Sequence, residues 1–137
     1  YSEYNSLDIE QYQNESWFKS NPPKKISVNA LPLDKLLLEK KFTPKIIKID
    51  VEGAEEKVIN GLIDTLKKKD VDAIVMEFIL HSKNNVHLAA AKTLDKFQYY
   101  PHFIDPDGNL NKIALDQIEP IMHQKNRESD NIIFCHN

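Results

Sequence analysis

The stretch that most constrains this chain is Pro44–Glu55, PKIIKIDVEGAE. Ile46, Ile47 and Ile49 bracket Lys48, and the apolar run stops at Asp50. A short β-branched run of this kind predicts a buried strand. Val51, Glu52 and Gly53 follow, and a helical period takes over at once. An acid at the carboxyl end of a strand, then a turn glycine, then a helix, is where open α/β sheets keep their ligand sites.

The flanking sequence predicts more of the same architecture. Residues 54–69 carry Val58, Ile59, Leu62, Ile63 and Leu66 on one helical stripe, with acids at the start and Lys67–Lys69 at the end, complementing the helix dipole. Residues 72–80, DAIVMEFIL, predict a second buried strand, apolar at nearly every position except Glu77. A helix joins the two strands, so they are expected to lie parallel. Upstream, KKISVNAL at 24–31 alternates as a strand does, and Asp34 is placed to cap a short helix over 35–41. Downstream, 81–84 reads as a polar loop and 85–99 as a helix with Val86, Ala90, Leu94 and Phe97 on one face. Residues 101–113 read as a hairpin about Asp-Pro-Asp-Gly-Asn, 114–130 as a charged loop, and 131–135 as a closing strand. Residues 1–23 are polar and poorly patterned, with a helical stretch around 8–18 that Pro22-Pro23 would end. The organisation is therefore an N-terminal segment, 1–23, and one α/β unit, 24–137.

Bulk properties exclude several classes of function. With 137 residues the chain can bury one real core. A net charge of −3 draws it to neither nucleic acid nor anionic membrane, and no apolar run reaches the ~20 residues of a membrane span. The single cysteine, Cys135, allows no internal disulfide; that fits a reducing compartment, and a cytoplasmic location is expected. Cys135 lies in an apolar strand and is expected to be buried and inert. The three glycines, Gly53, Gly61 and Gly108, are far apart, so no glycine-rich phosphate loop exists.

The chemistry concentrates at two strand ends. Asp50 and Glu77 close two neighbouring parallel strands, so their carboxylates should face one crevice. Glu52 and His81 lie in the loops leaving those strands. For Asp50 and Glu52 the plainer reading is a cap or dipole partner for the next helix. Glu77 resists that reading, because it interrupts an apolar strand and a buried carboxylate is costly without a partner. For His81 the plainer reading is a solvated loop residue. His87, His102, His123 and His136 share no ligand spacing and read as surface or core fillers. Lys48 is expected to snorkel to an edge or pair with an acid.

KIDVEGAE at 48–55 resembles the signature of FkbM-type methyltransferases. So do the Leu33-Asp34-Lys35-Leu36-Leu37 segment before it, Val58-Ile59-Asn60-Gly61-Leu62 after it, VMEF at 75–78 and Asn131-Ile132-Ile133-Phe134 near the end. By eye the resemblance spans about residues 26–135. It implies a Rossmann-like class I methyltransferase fold and transfer of a methyl group from S-adenosylmethionine, mostly to oxygen on sugars and natural products. The strands ending at Asp50 and Glu77 would be the fourth and fifth of a seven-stranded sheet. The strands near Phe103 and at Ile132–Phe134 would be its antiparallel sixth and seventh. Asp50 and Glu77 would be the catalytic pair, with Asp50 orienting the acceptor hydroxyl or acting as its base. Asp50, Glu52 and Gly53 would meet the cofactor, and Glu77 and His81 would line the acceptor pocket.

The resemblance also predicts a gap. The family's first strand, its glycine loop and its ribose-binding acid have no counterpart in residues 1–44. The chain resembles the carboxyl half of the domain; the parent is expected to continue before Tyr1, and this piece alone should bind S-adenosylmethionine weakly or not at all. The central strand is then left with an open edge, a route to self-association. A variant in which Asp50 and Glu77 share a divalent ion has too few carboxylates behind it, so no metal is assigned. The competing reading is a non-catalytic remnant, a pairing module of the same fold.

Overall fold

The computed structural model describes residues 14, 16–22, 24–82 and 85–136. In chain order the elements are α1 (Ser16–Ser20), α2 (Leu33–Lys40), β1 (Ile46–Ile49), α3 (Glu55–Asn60), α4 (Ile63–Lys68), β2 (Ala73–Ile79), α5 (Val86–Lys96), β3 (Tyr100–Ile104), β4 (Leu110–Lys112), a 3₁₀ turn (Leu115–Gln117), α6 (Ile118–Gln124) and β5 (Ser129–Cys135). The strands form one sheet in the order β1-β2-β5-β3-β4. β1 and β2 are parallel, as the intervening helices predict. β5 runs against both β2 and β3, and β4 runs against β3. β3 therefore points the same way as β1 and β2. This corrects the expectation of two antiparallel strands at Phe103 and Ile132–Phe134: inserting β5 between β2 and β3 reverses β5 alone of that pair.

Register explains the core. Ile49 lies beside Met76, Met76 opposite Ile132, and Ile74 opposite Phe134, so one face carries an apolar row that is almost wholly buried. α5 packs against α3, β2 and β3. Ile59, Leu62, Leu66 and Leu94 complete the core, each burial contributing ~1.5–3 kcal/mol. Tyr99 is fully buried with its hydroxyl donating to the Val71 carbonyl at 2.9 Å. Among the described residues no helix is long and apolar enough to cross a membrane.

Four expectations are corrected. β1 is not buried throughout: Ile46 is 64% exposed and only Ile49 is sealed, because among the described residues β1 pairs with β2 alone and forms the sheet edge. Residues 24–31 are irregular, with Ile26 and Val28 exposed; alternation builds a strand only where a neighbouring edge accepts it. The 114–130 segment is not a loop: Leu115, Ile118 and Met122 follow helical spacing, and Ile118 and Met122 are buried. The 54–69 helix is two helices broken at Gly61-Leu62. Of the proposed helix around 8–18, residues 8–13 and 15 lie outside the described residues, and the observed helix α1 begins at Ser16.

The break has a physical cause. The Gly61 carbonyl accepts the Asp34 amide at 2.9 Å, and a side chain at Gly61 would meet Val58 O at 3.3 Å and the Pro32 Cα at 3.4 Å. Asp34 does not cap its own helix. Its carboxylate accepts the amides of Asp64 and Thr65 at 2.8 and 2.9 Å and the Thr65 hydroxyl at 2.5 Å, so it caps α4 from thirty residues away. Leu62, at the natural cap position, has no side-chain acceptor to offer. Replacing Asp34 by Ala should therefore cost about 1–2 kcal/mol of folding free energy in urea unfolding, with Asp34→Asn retaining part of it; an Ala variant as stable as the parent would refute the capping role.

Candidate functional site

Continuing the β1–β2 register by one step sets Asp50 beside Glu77, since Lys48 pairs with Val75 and Ile49 with Met76. Strand alternation then turns Lys48, Asp50 and Glu77 to the face opposite the buried row. Asp50, Glu52 and Glu77 each bring a carboxylate oxygen within 4.8 Å of the other two. Lys48 sits against this group, its Nζ 2.9 Å from Asp50 Oδ2, which settles its unusual place in an apolar strand.

The loop between β1 and α3 is tightly folded. Glu52 has φ 52° and Gly53 φ 94°. A left-handed glutamate costs about 1–2 kcal/mol and persists only where its surroundings hold it. Here Glu55 does the holding: its Oε1 accepts the Val51 amide at 3.1 Å and the Gly53 amide at 3.4 Å, one on each side of Glu52. Glu55 is fully buried, and its Oε2 lies 3.2 Å from Nε2 of the equally buried His87, though the two are not aligned as a hydrogen bond.

These surroundings tune the acids differently. Burial, then the charges of Asp50 and Glu52 and a hydrogen bond with Asp50, push Glu77 up to about 7, with Lys48 pulling weakly the other way. One Glu77 oxygen is sealed from solvent with no hydrogen-bond partner. The rim thus presents Asp50, paired to Lys48, beside a Glu77 that takes up or releases a proton near neutrality. That is the equipment of general acid–base chemistry. The three oxygens also have the hardness a divalent cation takes, although exposed acidic groups are common without one. Burial lowers the His87 pKa against the opposing pull of Glu55 and Glu52.

Of the residues singled out from sequence, Asp50, Glu52 and Glu77 converge, and Gly53 supplies the turn. His81 does not belong to that close group; it has φ 55° and its ring lies 5.5 Å from the His123 ring of α6. Cys135 is half-buried rather than sealed, and burial pushes its thiol up. Glu55 and His87 were not foreseen: Glu55 reads as one more dipole partner, and His87 as filler. The usable signal is the α5 stripe His87, Ala90, Ala91 and Leu94, all buried, whereas Val86 and Phe97 of the expected face are only partly so.

A family model described as "Methyltransferase FkbM domain" matches residues 1–101, which is most of the chain and includes the whole β1–α5 region. No curated protein and no solved structure matches. The chain belongs to the FkbM methyltransferase domain family.

The raised Glu77 has a pH signature. Its unfolded value is near 4.5 and its folded value about 7, so its contribution favours the fold below 4.5 and is lost as pH rises through 7. Glu77→Gln removes that loss. The urea midpoint of the Gln variant relative to the parent should shift upward between pH 5 and pH 8 at constant ionic strength; a difference independent of pH would show that Glu77 titrates normally.

Proposed function

We propose that this member of the FkbM methyltransferase family moves the methyl group of S-adenosylmethionine to a hydroxyl oxygen of a small acceptor, a sugar or natural product, and that the described residues form the acceptor side of the site. The observation that carries the reading is the convergence of Asp50, Glu52 and Glu77 at the ends of two adjacent parallel strands. We read β1 and β2 as the fourth and fifth strands of a Rossmann-like class I sheet, with β3 and β5 as the sixth and seventh.

The residues suit such a cofactor. A sulfonium cation is favoured beside carboxylates, and Glu77 offers a sealed oxygen without a partner. Bound S-adenosylmethionine would supply an electrophilic methyl group. Asp50 would hold the acceptor hydroxyl in line and take its proton as the oxygen bonds to carbon, with the Lys48 ammonium, 2.9 Å away, fixing the carboxylate's orientation. Glu77, whose carboxylate lies within 4.8 Å of Asp50's, would pass that proton onward. Gly53, at positive φ, would let the backbone approach the methionine end.

A second reading, a pairing module without catalysis, is favoured by one observation. The outer edge of β1, unpaired among the described residues, exposes Ile46 beside an apolar groove of about 280 Å³ lined by Leu33, Leu36, Leu37 and Phe42. Its occupant would be a second copy of the chain.

Calorimetric titration of S-adenosylmethionine into the intact protein separates the two. Binding, followed by labelled-methyl transfer to a hydroxyl acceptor that falls about 10²–10⁴-fold in Asp50→Asn, is the expected result. An intact protein that neither binds the cofactor nor transfers methyl, yet sediments as a dimer, would overturn the enzymatic reading.

A further inference from the structure

The most costly polar placement in the described chain lies beneath the carboxylate group, not in it. Glu55 and His87 are both sealed from solvent, and neither a cap nor an exposed ion pair accounts for them. A buried carboxylate persists only when its partners need it.

Its partners are two amides of one loop. Val51 and Gly53 both donate to Oε1 of Glu55, so the amides of the two residues flanking Glu52 are tied to a single atom. The other oxygen, Oε2, faces Nε2 of His87 at 3.2 Å. The His87 ring in turn lies 5.9 Å from the ring of Phe78, the residue that follows Glu77 in β2. The chain of contact therefore runs from the loop carrying Asp50 and Glu52, through α3 and α5, to the strand carrying Glu77. Glu77 and Phe78 point to opposite faces, so the pair grips β2 from the side away from the carboxylates. The charged groups facing His87 are Glu55 and Glu52, and both act on it with the same sign.

We infer that Glu55, backed by His87, is the positioning residue of the site: it holds Glu52 in its left-handed conformation and fixes the spacing of Asp50, Glu52 and Glu77. An apolar side chain at position 55 would fill the same space and leave two amide donors without an acceptor. This inference takes its meaning from the reading of the three carboxylates as the acceptor site. Its test does not use methyl transfer, so the two fail separately.

The test is amide hydrogen exchange by NMR on the chain and on the variants Glu55→Ala, Glu55→Gln and His87→Phe. In Glu55→Ala the Val51 and Gly53 amides should exchange about tenfold faster or more, as expected for two lost bonds to a charged acceptor, while the β2 amide of Met76 keeps its protection. Glu55→Gln, whose oxygen still accepts, should stay within about threefold of the parent. His87→Phe keeps a ring against Phe78 and should speed exchange at the same two amides and nowhere in β2. Protection at Val51 and Gly53 that is unchanged in Glu55→Ala and His87→Phe overturns the inference, as does a loss spread evenly over the chain. Should Glu55→Ala fail to fold, His87→Phe decides alone by the same two amides.

Discussion

The site depends on one constraint, the parallel register of β1 on β2. Four residue pairs, from Ile46–Ala73 to Ile49–Met76, share one offset, and that offset carries Asp50 to Glu77. The apolar face enforces it. A one-residue slip would turn Ile49 out of the core and bring Asp50 in, exchanging a buried side chain for a buried charge. The acids meet because the isoleucines beneath them can sit in only one way. The gathering of carboxylates on one face is thus a consequence of hydrophobic packing on the other.

The five acids around β1 divide into two trades. Asp34 and Glu55 spend their oxygens on backbone amides and shape the chain, the first by capping α4, the second by closing the loop after β1. Asp50, Glu52 and Glu77 face one another instead, and their mutual repulsion, added to burial, keeps Glu77 near neutrality. The local sequence does not separate these roles. Glu52 and Glu55 are three residues apart, one in the loop before α3 and the other at its first residue, yet one is held and the other does the holding.

Sequence period revealed the elements that rest on period. β1, β2, α5, the β3–β4 hairpin and β5 are legible in runs of Ile, Val and Phe and in a proline-glycine turn. What was hidden depends on distant partners. The alternation of 24–31 is real, but the segment joins no ladder, although the outer edge of β1 is unpaired among the described residues. The α3–α4 break is bonded to Asp34, whose amide donates to the Gly61 carbonyl and whose carboxylate accepts the Asp64 and Thr65 amides, and no window centred on residues 54–69 contains Asp34. α6 was masked because Glu119, Pro120 and His123 interrupt its apolar positions. At the site, Asp50, Glu52 and Glu77 were legible because each ends or follows a strand. Glu55 and His87 were not, since their meaning arises only when α3 lies against α5.

The place of β5 has a consequence for assembly. Of the described strands it comes latest in the sequence, yet it lies between β2 and β3 and joins the two halves of the sheet. β2 and β3 hold no ladder with each other, so during synthesis each must wait, with one side unmatched, until residues 129–135 leave the ribosome. Pairings so remote in sequence form late and slowly. The keystone of this arch is laid after the stones it joins, and a ribosome that stalls before residue 129 would leave two unjoined pieces of a sheet.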